Sequence, residues 1–376
     1  MLAGNASAEG TARYRDRFPA LRDAGHFRTS TPALDGNPLW LSSIGLGTYL
    51  GEPDDAADDE YTHAIVAALR SGVNVLDTAI NYRHQRSERN IGASLQKLTA
   101  SGEIQRDEVF VCTKAGYLSF DGNLPSNPRA YVMREYVEPG IIDPAELAGG
   151  MHCMTPAYLE NQIARSRRNL GLETLDLFHL HNPESQLADI PGNRFHDRVR
   201  QAFTFLEGQV KSGVLKFYGM ATWNGFRVRP TASDYLDLFA IAGIARDVGG
   251  ERHHFRFVQL PFNLAMSEAY GLANQGPEGE KMSLFTAASR LGISVMGSAT
   301  LHQGRLIYGL PDPVRTVLGM KTDAGNAIQF ARSAPGLTTA LVGMGHREHV
   351  AENLQPALNP LTNDAQWRGL FSPSSG

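Results

Sequence analysis

Eight short apolar runs alternate with longer amphipathic stretches between residues 39 and 354, and no other feature narrows the possible folds as much. The runs are LWLSSIGL (39–46), VNVLDT (73–78), EVFVCTK (108–114), TLDLFHLH (174–181), LKFYGMAT (215–222), FRFVQL (255–260), ISVMGSA (293–299) and TTALVG (338–343). Helical periodicity fills the intervals 58–71, 86–100, 156–170, 195–212, 233–247, 282–291, 323–334 and 346–354. Strands separated by helices form parallel sheets, because each crossover needs a covering helix. Eight such units predict a closed (β/α)8 barrel of the TIM type rather than an open doubly wound sheet. No G-x-G-x-x-G follows the first run, which speaks against the dinucleotide-binding open sheet. Pro156 suits the first position of the helix it opens. Gly292, just after Arg290-Leu291, supplies a left-handed helix stop.

The expected organisation is an N-terminal arm (1–37), the barrel (38–360) and a C-terminal tail (361–376). The arm is polar and without strong period, so it is expected to pack on the outside or to be partly disordered. One interval breaks the rhythm. Residues 115–155 mix Pro, Gly and aromatics over about 40 positions and form a long loop after the third strand, expected to cover the barrel mouth. A packing role and a role in contacts between copies stay open for it.

Composition excludes several functions. With 35 Lys+Arg against 39 Asp+Glu, the net charge of −4 provides no basic field for nucleic acid. No apolar run reaches the roughly 18 residues of a spanning helix, and the N-terminus lacks a signal-peptide core. A cytoplasmic protein with no membrane partner is therefore expected. The two cysteines, Cys112 and Cys153, provide neither a disulfide framework nor metal-ligand spacing, and Cys112 reads as a buried thiol.

The strand exits carry the chemistry. In a parallel barrel functional groups gather at the C-terminal ends of the strands. Here those ends read Asp77, Lys114, His181, Thr222, Gln259, Ser298 and Gly343, with Tyr82 shortly after Asp77. A free tyrosine, with a pKa of about 10, is too weak an acid for fast proton donation. A buried lysine favours the phenolate, an aspartate keeps that lysine charged, and a histidine grips a carbonyl oxygen from the other side. The pair His179-x-His181 also opens a rival reading as a metal-dependent hydrolase, since two imidazoles share one strand face. No metal site is expected, because Lys114, Tyr82 and Asp77 occupy that space, and His179 reads as a core histidine, hydrogen-bonded inside the barrel.

These residues resemble the aldo-keto reductases, over about residues 38–360. Asp77 and Tyr82 match the family's D-T-A-x-x-Y, Lys114 its T-K after the third strand, and His181 its D-x-x-x-[IL]-H. The resemblance implies a (β/α)8 barrel that reduces an aldehyde or ketone with NADPH. Tyr82 would be the general acid, Lys114 would tune it, Asp77 would pair with Lys114, and His181 would orient the carbonyl. The segment SERNIG after Tyr82 resembles the family's S-E-x-x-I-G. GLGTY, ending in Thr48 and Tyr49, resembles the turn near the cofactor. Gln259 stands where the family holds the nicotinamide amide. Ala221 and Thr222 replace a Ser-Asn pair, with Asn224 or Thr222 able to supply the missing group. Ser298 stands where an aromatic ring stacks on the nicotinamide. Leu301, Gln303, Gly304 and Arg305 fall in the loop that spans the pyrophosphate, where backbone N–H groups and Arg305 suit phosphate oxygens. In VGMGHREHVAEN, Gly343, Glu352 and Asn353 keep the family frame, with Glu352 and Asn353 at the adenine. Gly345 replaces the arginine expected for a 2′-phosphate, and Arg347 is the candidate substitute. NADPH is favoured and NADH is the alternative.

Two further readings stay open: a cofactor-binding regulatory protein, and a redox-neutral elimination or epimerisation. The partner is a small-molecule carbonyl substrate. Tyr117, Phe120, Tyr131, Tyr136, Met151 and Trp223 suggest an aromatic-lined pocket, whereas Arg129 and Arg134 would suit an anionic one. Self-association would use the arm or the long loop.

Overall fold

The computed structural model describes residues 1–30 and 36–371. A two-stranded antiparallel ribbon, β1 (Phe27–Thr29) and β2 (Trp40–Ser42), precedes a closed barrel. The barrel strands are β3 (Ile44–Gly47), β4 (Val75–Asp77), β5 (Phe110–Ala115), β6 (Leu175–His181), β7 (Leu215–Ala221), β8 (Phe255–Pro261), β9 (Ser294–Ser298) and β10 (Leu337–Gly343). Each pairs in parallel with its sequence neighbours, and β10 closes on β3. Helices between the strands include Asp55–Arg70, Arg86–Ala100, Pro156–Leu170, Gly192–Lys211, Leu238–Gly249, Leu284–Leu291 and Asp323–Ser333, and Arg347–Asn353 follows the last strand. Local chemistry sets their ends. The Asp54 carboxylate accepts from the Ala57 N–H at 2.8 Å, and Gly171 and Gly292 close their helices at φ 65° and 66°.

The period-2 alternation of the strands builds two cores. Val75, Phe110, Cys112, Leu177, Phe217, Phe257, Met296 and Leu341 fill the barrel interior. The other strand face packs against the helices. Cys112 and Cys153 are both free and buried. Among the described residues no helix is long and apolar enough to cross a membrane.

The described part of the N-terminal arm is packed. Its Ala6, together with Leu39 and Leu41 of the first apolar run, joins the interior core and closes the barrel at the end away from the strand exits. The Ala6 N–H donates to Asp176 Oδ1 at 2.6 Å, and Lys216 Nζ donates to the Ala6 carbonyl at 2.6 Å. An open barrel end leaves apolar side chains and strand termini to water, and this segment covers them. The run 39–46 accordingly divides. Its first half pairs with β1 below the barrel, and only Ile44–Gly47 enters the closed sheet. The tail is also packed, as far as it is described. Trp367, on the short helix Asp364–Gly369, is fully buried against Phe262, Tyr270 and Phe330. Its indole N–H donates to the Phe330 carbonyl at 2.8 Å.

One buried histidine in the arm makes stability depend on pH. His26 Nδ1 lies 3.1 Å from Ser43 Oγ, and Nε2 lies 3.1 Å from the Gly72 carbonyl. Burial, with Arg332 nearby, pushes its pKa from 6.5 down to about 3. The folded state therefore resists a proton that the unfolded chain accepts below about pH 6.5. Stability is fully present above that pH and is lost as pH falls toward 3, at up to roughly 1.4 kcal/mol per pH unit. Chemical unfolding at about pH 7 and pH 5 should show parent stability falling by roughly 2 kcal/mol more than that of His26→Gln. Equal pH dependence in the two proteins would contradict this account.

Candidate active site

The interior-facing positions at the strand exits meet at one end of the barrel. Lys114, one of the largest fully buried side chains in the molecule, points inward from β5. Its Nζ donates to Asp77 Oδ2 at 2.8 Å and to the Thr78 carbonyl at 2.7 Å. A third, longer contact reaches Tyr82 Oη at 3.4 Å, and the ammonium lies 4.8 Å from the centre of the Tyr82 ring. His181, the last residue of β6, meets Tyr82 edge-on with ring centroids 5.7 Å apart. All four predicted catalytic side chains therefore share one site.

Their electrostatics are those of a buried ion pair beside a phenol. Burial opposes the charge on Lys114, but the adjacent Asp77 carboxylate overrides it and holds the ammonium's pKa above its ordinary value. Burial likewise raises the Tyr82 phenol, while Lys114 pulls it down. The net shift is upward, opposite to simple tuning by lysine, because a 3.4 Å contact does not offset loss of solvent. Tyr82 is thus a protonated donor at neutral pH, with a cation placed to stabilise the phenolate once the proton leaves. Burial, then Lys114, pushes His181 well below its usual pKa, so it presents a neutral imidazole.

A cavity of about 1140 Å³ opens above this cluster. It runs from Tyr82, His84 and His181 past Thr222 and Gln259, along Ser298, Leu301 and Gly304, to His349, Glu352 and Asn353. Thr48, Tyr49 and Gly343 also line it. Two features suit a carboxamide-bearing ligand. Gln259 Nε2 donates to Asp77 Oδ2 at 3.4 Å, whereas its Oε1 is buried with no partner among the described residues. Thr222 Oγ1 is also buried and unpartnered among them. Buried polar atoms are costly to leave unsatisfied, so these two call for a ligand or water. A smaller cavity of about 470 Å³ lies between β1 and the starts of β9 and β10. Its one charged lining residue, Arg28, donates to the carbonyls of Arg332, Ala334 and Leu337.

Several expected residues fall outside the large cavity. Asn224 is turned away: its Nδ2 donates to Asp234 Oδ2 at 2.8 Å, and its Oδ1 accepts from Arg227 at 3.2 Å. Arg305, Gly345 and Arg347 are not among the lining residues, and Lys114 is the one lysine or arginine that is. Of the long loop, Tyr117, Leu118, Phe120 and Met151 reach the cavity, as does Trp223. Tyr136 instead forms a separate small core with Ile142, Cys153 and Tyr158, and Tyr131, Arg129 and Arg134 stand apart from the cavity. In SERNIG, Ser87 Oγ donates to the Thr48 carbonyl at 2.8 Å, and Glu88 accepts from Thr113 at 2.6 Å and Asn169 at 2.8 Å. That motif fastens the site rather than lining it.

The structure adds residues that motif reading passed over. Asn81, Asn182, Tyr308 and His349 line the cavity, beside Gln303 of the expected pyrophosphate loop. His152, returning from the long loop, donates from Nε2 to the His181 carbonyl at 2.8 Å while its Nδ1 accepts from Gln186 at 2.7 Å. Glu184 Oε1 accepts the N–H groups of Trp223, Asn224 and Gly225 and so shapes the loop after β7. Position after a strand end was a usable signal for Asn182, but none existed for His152. His179 is buried as expected but not hydrogen-bonded: both its nitrogens are without partners among the described residues, because the strand faces around it offer mainly apolar side chains. Among those residues no group of three or more His, Cys, Asp or Glu side chains is placed to hold a metal ion.

Comparison with known proteins completes the picture. The family model described as Aldo/keto reductase family matches residues 43–309. D-threo-aldose 1-dehydrogenase of a Pseudomonas species is 31% identical over 218 residues, which cover 57% of this chain and 60% of that protein. An uncharacterized oxidoreductase of Bacillus subtilis is 23% identical over 340 residues, 88% of this chain and 90% of its own length. Among solved structures, an aldo-keto reductase from Klebsiella pneumoniae in complex with NADPH superposes with a TM-score of 0.60 at 19% identity, covering 93% of this chain and 97% of that one. A glycerol dehydrogenase from Gluconobacter oxydans gives 0.61 at 17%, covering 92% and 94%.

Proposed function

The chain belongs to the aldo/keto reductase family, and from that premise we propose that it reduces an aldehyde or ketone to an alcohol with NADPH. The observation that carries the proposal is the convergence of Tyr82, Lys114, Asp77 and His181 at the floor of a cavity far larger than a simple carbonyl compound. The rest of that cavity suits an extended cofactor. Gln259 and Thr222 would hold the nicotinamide carboxamide, Ser298 to Gly304 the pyrophosphate, and Glu352 with Asn353 the adenine. When bound, reduced nicotinamide supplies a hydride to the carbonyl carbon.

The chain's own residues do the rest. The neutral His181 imidazole donates to the carbonyl oxygen and fixes its direction. Tyr82 donates its phenolic proton to that oxygen as negative charge develops there. Lys114, kept charged by Asp77, stabilises the resulting phenolate. Tyr49, Tyr117, Phe120 and Trp223 narrow access of water to the reacting oxygen.

The NADPH bound in the Klebsiella structure supports that cofactor. The absence of Arg305 and Arg347 from the cavity lining keeps NADH as the alternative. A cytoplasmic location belongs to the same proposal. The test is loss of NADPH absorbance across a panel of aldehydes and ketones, with fluorescence titration of NADPH and NADH. Turnover with at least one carbonyl class and tighter binding of NADPH are expected. Cofactor binding without turnover of any carbonyl would point to the regulatory reading instead.

A further inference from the structure

Three consecutive residues immediately after Tyr82 adopt left-handed backbone, and none is glycine. Arg83 has φ 46° and ψ 37°, His84 has φ 54° and ψ 53°, and Gln85 has φ 73° and ψ −8°. Such residues suffer crowding between Cβ and the following carbonyl, so left-handed conformations normally occur singly. A run persists only where its surroundings over-determine it, and such strain clusters at functional sites.

The surroundings here are explicit. The Arg83 side chain is buried and fully engaged. Its Nε donates to the Glu52 carbonyl at 2.9 Å, Nη1 to Asn90 Oδ1 at 2.9 Å and Nη2 to Asp58 Oδ1 at 2.6 Å. The guanidinium lies 4.9 Å from the centre of the Tyr61 ring. The His84 carbonyl accepts from the Gly122 N–H at 2.8 Å. Gln85 donates to the Phe120 carbonyl at 2.9 Å and accepts from Asn169 at 3.0 Å. Helix Asp55–Arg70, helix Arg86–Ala100, the loop after β5 and helix Pro156–Leu170 thus all grip these three residues.

Tyr82 itself is held far more weakly. The one hydrogen bond found for its hydroxyl among the described residues is the 3.4 Å contact with Lys114, too long to hold the ring in place alone. The ring meets Tyr49 and His181 edge-on, and the placement of its hydroxyl against Lys114 then depends on the backbone that carries it. Glycine would take φ of +46° without crowding. What arginine adds at this point is the anchoring fork.

We propose that Arg83 is a positioning residue, whose buried fork on Asp58 and Asn90 locks the strained turn and thereby fixes Tyr82 Oη against Lys114. This rests on Tyr82 being the proton donor. A purely structural account would instead have Arg83 neutralise Asp58. Arg86 already does so, with Nη1 2.5 Å from Asp58 Oδ2.

The test is a double-mutant cycle with carbonyl reduction as one readout and fluorescence titration of NADPH as the other. Arg83→Gly leaves the backbone conformation accessible and removes the fork. It should lower kcat by about 100-fold, since small misplacement of a reacting group costs that much. KM and NADPH affinity should stay within about threefold, as expected for loss of an interaction made in the transition state. In the Tyr82→Phe background the same change should add no more than about threefold, because Arg83 acts through the hydroxyl already removed. Arg83→Lys should recover part of the rate. A kcat for Arg83→Gly within about threefold of the parent, or a loss that multiplies undiminished on Tyr82→Phe, would overturn the proposal. Should Arg83→Gly not fold, Asp58→Asn, which weakens the same fork, is judged by the same two criteria. A Tyr82→Phe protein as active as the parent would instead remove the proton-donor reading on which the proposal stands.

Discussion

Replacing Tyr82 by Phe is expected to lower turnover by roughly 10²- to 10⁴-fold, the range supplied by a positioned general acid. The ring should stay in place, because its edge contacts with Tyr49 at 5.0 Å and His181 at 5.7 Å are made by carbon atoms that phenylalanine retains. Lys114 keeps its two strong acceptors, Asp77 and the Thr78 carbonyl. NADPH affinity should therefore change little, and a fall in kcat without loss of cofactor binding is the signature of a group used only in the transition state. Water, an acid far weaker than a phenol, is a poor replacement.

The second large effect concerns the ion pair. Lys114→Met leaves the Asp77 carboxylate buried, its Oδ1 already without a partner among the described residues. Removing one member of a buried pair costs about 3–5 kcal/mol because the other charge remains uncompensated. The single variant should lose both stability and activity. Removing both charges in Lys114→Met, Asp77→Leu should recover much of the stability, as replacement of buried pairs by apolar side chains commonly does. It should recover none of the activity, because the phenolate then has no cation beside it. Thermal melts and kcat measured on the two single variants and the double variant separate these roles. A double variant that regains turnover would show that the pair is structural alone.

Much of the architecture was legible because each strand and helix carries its own period. Helices 86–100 and 156–170 match the structure end to end. Asp77, Lys114 and His181 were legible for a related reason. Alternation along a parallel strand decides which side chains face inward, and the barrel brings those at the exits together. What escaped depended on partners remote in sequence. Asn224 is drawn off by Asp234, a contact that no local pattern announces. Ala6 is a lone small residue in a polar arm, and Leu39 and Leu41 belong to the first apolar run, yet the three together close the barrel. Trp367 lies in a polar stretch, and its burial depends on Phe262 and Phe330 from the barrel side. The upward shift of the Tyr82 phenol reflects a contest between burial and Lys114 that residue identity leaves undecided.

The central claim is that Tyr82 delivers the proton in a cavity that binds reduced nicotinamide. Its most direct test is a single-turnover mixing experiment on the parent and Tyr82→Phe, each preloaded with NADPH. Cofactor fluorescence reports binding, and absorbance reports reduction of the carbonyl. Both proteins should bind the cofactor alike, with fast loss of absorbance in the parent and loss at least about 100-fold slower in the variant. Equal rates in the two proteins would contradict the account.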